Sequence, residues 1–131
     1  MSYDVYVCRF VNGEQEPLDM DIVHEVLDLY VTARDPEHGF LQIKSESGGE
    51  ADVYLSSEKT ITINHFGGDE IMDVISELLR RLDATLILPG GTVILHSDEG
   101  SEHLSQNLKD EWSIVIASTG KEITRAIQAS S

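Results

Sequence analysis

Basic residues are scarce in this chain: nine Lys and Arg stand against 24 Asp and Glu, a formal net charge of −15 on 131 residues. A surface of that sign repels a phosphate backbone, which argues against direct nucleic-acid binding. Cysteine is nearly absent. Cys8 has no partner for an internal disulfide, which agrees with a reducing compartment. Between Val5, Tyr6, Val7 and Phe10 it reads as a small buried hydrophobe, with only Arg9 nearby to lower its pKa. No stretch approaches the roughly eighteen apolar residues of a membrane span. The N-terminus has no cationic lead before an apolar run, so it does not read as a secretory signal. These absences predict a cytoplasmic protein without a membrane partner. No Pro/Gly/Ser-rich linker and no internal repeat divides the chain, and residues 1–131 are expected to form a single domain.

Signatures of chemistry are missing too. A phosphate loop would need Gly five residues before Gly120, where Val115 stands, and Ser or Thr after Lys121, where Glu122 stands. Gly67-Gly68 at a helix start exposes N–H groups suited to an anion, but Asp69 and Glu70 already supply negative charge there. No Gly-x-Ser-x-Gly elbow, no His-Glu-x-x-His and no cysteine pair occurs. Catalytic residues, a metal site and a cofactor are therefore not indicated, and an enzyme is not supported.

What the chain has is acid, unevenly placed. Between Phe10 and Ala33 there is no Lys or Arg, while Glu14, Glu16, Asp19, Asp21, Glu25 and Asp28 all fall there. Asp21, Glu25 and Asp28 sit four and three apart on the expected helix, where like charges repel by a few tenths of a kcal/mol. A second acidic stretch holds Asp98, Glu99, Glu102, Asp110 and Glu111. Averaged over the roughly 6,900 Å² that a chain of this mass exposes, the excess is about one charge per 460 Å². Duplex DNA carries roughly one per 100 Å². Imitating nucleic acid would therefore require the carboxylates to gather on one side. They read either as a solvated, solubilising face or as a docking face for a basic partner.

Periodicity gives the architecture. Tyr3 to Val11 is apolar on both sides, as in an interior strand. Asn12-Gly13 marks a turn, and Asp19 is placed to cap a helix burying Ile22, Val23, Val26, Leu27 and Tyr30. After a polar loop over 33–39 come three alternating runs, Leu41/Ile43, Ala51/Val53/Leu55 and Ile61/Ile63, joined by short hairpin connections. Ile71, Val74, Ile75, Leu78, Leu79 and Leu82 form a broad helical stripe. Residues 85–88 and 92–95 read as a buried hairpin, 101–111 as holding a short helix and 114–117 as a last strand. Thr119 with Glu122 is a capping box opening a final helix. The expected fold is α+β: a mostly antiparallel sheet of five to seven strands with two main helices packed on one face.

An alternative site draws on the loop after Arg34. Arg34 and His38 bring a guanidinium and an imidazole to one turn, where His65 or His96 would join them around a small molecule or metal if the four converged. His65 continues the alternation of Ile61 and Ile63 and is expected to point inward beside Gly67-Gly68.

Residues 2–14 (SYDVYVCRFVNGE), 49–54 (GEADVY) and 64–69 (NHFGGD) carry a likeness along most of the chain. In these the sequence is similar to small uncharacterised bacterial proteins, a resemblance that implies no activity. In size, acidity and α+β character it also resembles the immunity proteins that neutralise bacterial toxins. That likeness rests on composition and carries over no residue. The expectation is a non-enzymatic, immunity-like interaction module in which Glu14, Asp21, Glu25 and Asp28 meet a basic protein, a toxin or a nucleic-acid-binding protein. The alternative is a small-molecule or metal-binding domain using Arg34, His38, His65 and His96. A homo-oligomeric structural protein is the third.

Overall fold

The computed structural model describes residues 3–130; Met1, Ser2 and Ser131 lie outside the described residues, and with them the first residues of the N-terminal reading. Strand β1 (Val5–Val11) is apolar on both sides and takes the interior of the sheet. Val5 and Val7 are fully buried on one face, and Tyr6, Cys8 and Phe10 occupy the other. The backbone then reverses at Asn12 and Gly13, both with positive φ, into β2 (Glu14–Glu16), which pairs only with β1.

The remaining strands are β3 (Val31–Asp35), β4 (Phe40–Lys44), β5 (Glu50–Tyr54), β6 (Ile61–Gly67), β7 (Thr85–Leu88), β8 (Thr92–Leu95) and β9 (Ser113–Ile116). Their spatial order is β3-β4-β5-β6-β1-β7-β8-β9. Every pairing is antiparallel except β8 with β9, which is parallel. Helix α1 (Met20–Leu27), α2 (Asp69–Leu82) and α4 (Gly120–Ser130) cover the face carrying Val5 and Val7, in one core cluster with Ile43, Val53, Ile61, Ile63, Leu86 and Ile94. The short α3 (Gln106–Glu111) lies on the opposite face, where Leu104 and Leu108 enclose Val93 and Leu95 with Phe10 and Trp112 at the rim.

The α+β class and the antiparallel meander stand as expected, but the sheet has nine strands rather than five to seven, and it is mixed. The two additional strands carry no alternation of apolar and polar residues. β2 is Glu-Gln-Glu, paired because the Asn12-Gly13 turn returns it along β1. β3 is an edge strand with Thr32, Ala33 and Arg34 exposed, which hid it within a polar loop. The parallel pair arises because the chain leaves β8 through residues 96–112, a crossover long enough to bring β9 in alongside it. Three helices, not two, pack on the main face.

Local signals place these helices. Asp19 accepts from the N–H of Asp21 at 3.0 Å and of Ile22 at 3.4 Å to cap α1. The N–H of Glu122 donates to the Thr119 hydroxyl at 3.2 Å at the head of α4. Seven residues of α2, from Ile71 to Leu82, are buried, each burial stabilising by about 1.5–3 kcal/mol. Helix α4 meets α2 backbone to backbone: a Cβ on Gly120 would lie 2.5 Å from the amide N of Asp73 and 2.6 Å from the carbonyl C of Met72. Only glycine permits that approach. Gly120→Ala is expected to cost about 1–3 kcal/mol by forcing the helices apart. Lys121→Ala, one residue on and exposed, should stay within about 0.5 kcal/mol. Urea unfolding of the two variants checks the contrast.

Candidate functional site

Where α1 rests on α2, the polar shoulders of the two helices stand above their apolar contact and leave a groove of about 670 Å³. Val26, Leu29, Tyr30 and Val74 supply its apolar surface, and Leu29, in the single turn that follows α1, is 86% exposed. Five carboxylates line it: Glu25 from α1, Glu46 from the turn after β4, and Glu70, Asp73 and Glu77 from α2. Among the described residues, Lys44 and Arg81 are its cations.

The acids differ in their partners. Arg81 holds Glu25 at 2.5 Å and Arg80 holds Glu77 at 2.5 Å, so these two carboxylates are already neutralised. The hydrogen bond from Arg80 keeps Glu77 below the usual carboxylate range. Lys44 leans toward Glu50 at 3.7 Å. Among the described residues, Glu46, Glu70 and Asp73 form no ion pair; the Asp73 carboxylate lies against Gly120 at the head of α4, so the field of the groove comes chiefly from Glu46 and Glu70.

Asp21, Glu25 and Asp28 line a second, shallower depression with His24 and Leu29 on the outer side of α1. Glu25 and Leu29 belong to both hollows. Asp28 is hydrogen-bonded to His24 at 3.2 Å and paired with Arg34 at 3.1 Å, and these partners, His24 first, depress its pKa. A stretch without bases in the sequence is thus supplied with them in space, from α2 and β3. Glu14 stands exposed in β2 and lines neither hollow. The second acidic stretch lies on the other face of the sheet, around α3, so the acids form two territories rather than one.

The sequence reading missed Glu46, Glu70, Asp73 and Glu77 as site residues. A signal existed for three of them: 70, 73 and 77 follow i, i+3, i+7 along one side of α2.

Arg34, His38, His65 and His96 do not converge. Each is held by a different carboxylate: Arg34 by Asp28, His38 by Asp35, His65 by Asp52 and His96 by Asp83, the three imidazoles at 2.8 Å. His38 precedes the start of β4, whereas His65 lies at the far end of β6, level with the end of β4. His96 follows β8, five strand spacings from β4, or about 24 Å. His65 points outward rather than inward. Residues Asn64–Gly67 of β6 bulge against Glu50–Asp52, His65 takes φ 51°, and the alternation set by Ile61 and Ile63 ends there. Asp35, Glu37 and His38 bring one ligand-type atom each within 4.8 Å of one another on an exposed turn, and the His38–Asp35 hydrogen bond accounts for much of that closeness. Gly68 is required by packing, not by an anion: a Cβ on it would lie 2.7 Å from Cα of Gly49. Burial raises the pKa of Cys8, which leaves the thiol protonated and inert.

No helix among the described residues is long and apolar enough to cross a membrane. Comparison with family models, with curated proteins and with solved structures finds no match.

A depressed folded-state pKa at Asp28 stabilises the fold above the unfolded carboxylate pKa, and the contribution fades as pH falls through the folded value. Asp28→Asn should therefore lower stability at neutral pH, by less than about 1 kcal/mol because the pair is exposed. The difference from wild type should close on acidification, as read from thermal melts along a pH series.

Proposed function

We propose that this chain is a non-enzymatic, cytoplasmic interaction module that seats a basic, partly apolar segment of a protein partner in the groove between α1 and α2. The observation that carries the reading is two carboxylates without ion pairs, Glu46 and Glu70, lining one groove with the almost fully exposed Leu29. Cations of a partner would meet the acids, and an apolar side chain would cover Leu29. The two contributions act differently. Unpaired carboxylates steer the encounter and make it salt-sensitive, whereas the apolar contact holds the complex once formed. Asp21, in the adjoining depression, widens the attracting field, while Glu25 and Asp28, already engaged by Arg81 and by His24 and Arg34, add less and Glu14 contributes only at long range. Nucleic-acid-binding proteins, toxins that act on nucleic acids among them, carry basic surfaces of the required sign. This accords with the compositional likeness to immunity proteins.

The test uses a synthetic helical peptide of lysine and leucine at three- and four-residue spacing as probe, with glutamine in place of lysine as the control. Glu46→Lys with Glu70→Lys is expected to slow association at low salt about tenfold or more. Leu29→Ala should speed dissociation while association barely changes. Glu14→Lys should leave both rates close to wild type. If Glu14→Lys slows association as much as the groove variant, bulk charge rather than the groove is responsible, and the reading fails. Equal binding of the glutamine peptide would also remove it.

A further inference from the structure

The two edges of the sheet are built differently. At one end β3 carries Arg34 and Asp35 and a register shift between Val31 and Ala33, features that deter another strand from pairing there. At the other end β9 reads Ser-Ile-Val-Ile, with no charge, no proline and no bulge. Ile114 is 37% and Ile116 is 41% exposed, and with Leu29 they are the large apolar side chains left in solvent among the described residues.

The backbone of β9 is half used. Ser113 N–H donates to the carbonyl of Gly91 at 2.9 Å and Ala117 N–H to that of Leu95 at 2.8 Å. In a parallel pair the residues of a strand alternate in the side to which their N–H and C=O point. Residues 113, 115 and 117 therefore face β8, and the N–H and C=O of Ile114 and Ile116 face away from the sheet.

We infer that β9 is a self-pairing edge, joining a second copy of this chain antiparallel about a two-fold axis at Val115. In that register Ile114 faces the second copy's Ile116, and the reciprocal pair repeats it, so four backbone hydrogen bonds close across the seam. The same register sets Ile114 and Ile116 against their counterparts on one face of the joined sheet, where four exposed isoleucines cover one another. On the other face the groove between β9 and α4, about 400 Å³, is lined by one acid and one base, Glu122 and Arg125. Two copies thus bring a charge-balanced set to the seam, unlike the acidic groove between α1 and α2. The groove on that face holds no excess of acid for a basic partner, whereas a second copy finds matching apolar side chains and a balanced rim at this edge.

This inference is independent of the proposed groove function, and salt separates them. Self-pairing works against the repulsion of two chains of charge −15, so salt should strengthen it, whereas salt weakens the docking of a basic segment. Sedimentation velocity across a concentration series is expected to move from 14.5 kDa toward twice that mass, further so at high salt. Ile114→Lys and Ile116→Lys, tested singly, should each weaken self-association about tenfold or more. Because both side chains are exposed, the melting temperature of the dilute protein should scarcely change. Amide exchange gives the second measurement: the Ile114 and Ile116 amides should be protected in concentrated protein and exposed in dilute protein. A wild-type mass that stays at 14.5 kDa throughout overturns the inference, as does a dimer insensitive to both lysine variants. Polydisperse assemblies in place of a dimer overturn it as well. So does protection of the two amides that arises only on mixing with the lysine–leucine peptide, which would assign the edge to a basic partner.

Discussion

The contact between α2 and one face of the sheet is the interaction from which the rest of the molecule follows. Its stripe from Ile71 to Leu82 lies in the same core cluster as Val5, Val7, Ile61 and Ile63. With that stripe in place, α1 and α4 each have a flank to pack on. Gly120 sets α4 against the backbone of α2 on one side. Val23, Val26 and Leu27 bury α1 in the same core. The groove is a by-product of this layering: two amphipathic helices that share their apolar sides must raise their polar shoulders beside each other, and both shoulders here are acidic.

Much of the fold was legible because burial writes itself into the sequence as a period. The α2 stripe, the alternation from Leu41 to Ile63, the hairpin around Pro89 and the caps at Asp19 and Thr119 all follow from side chains that repeat every two or every three to four residues. What lacked a period was not legible. β2 is wholly polar, β3 buries little, and both pair because of where the preceding turn leaves the chain. The outward turn of His65 was hidden for a related reason: a bulge is a backbone decision, and it reverses the side-chain sense without marking the composition.

The candidate site was half legible. The acidic run from Glu14 to Asp28 is plain in the sequence, and it does form one wall of the groove through Glu25. Charge along a chain is not charge in space, however. Arg81 reaches Glu25 from α2, and Arg34 folds back to Asp28 from the next strand, β3, so the densest acidic segment is partly neutralised. The stronger field belongs to Glu46 and Glu70, whose surroundings in the sequence include Lys44 and the arginines at the end of α2. Which acids remain unpaired is decided by tertiary packing, and helix spacing alone shows only which of them share a side.

The position of β1 has a consequence for how the chain is made. β1 leaves the ribosome ahead of β6 and β7, the strands that flank it in the sheet interior, and its Val7 pairs with Ile61 and Leu86. Synthesis takes about 4–16 s to cover the distance from Val7 to Leu86 at typical elongation rates. Until β6 emerges, a strand apolar on both sides has only its short polar hairpin partner, Glu14 to Glu16, beside it, and its other side stays open until β7 follows. The native sheet therefore closes only when the last part of the chain, which carries β7, β8 and β9, has emerged.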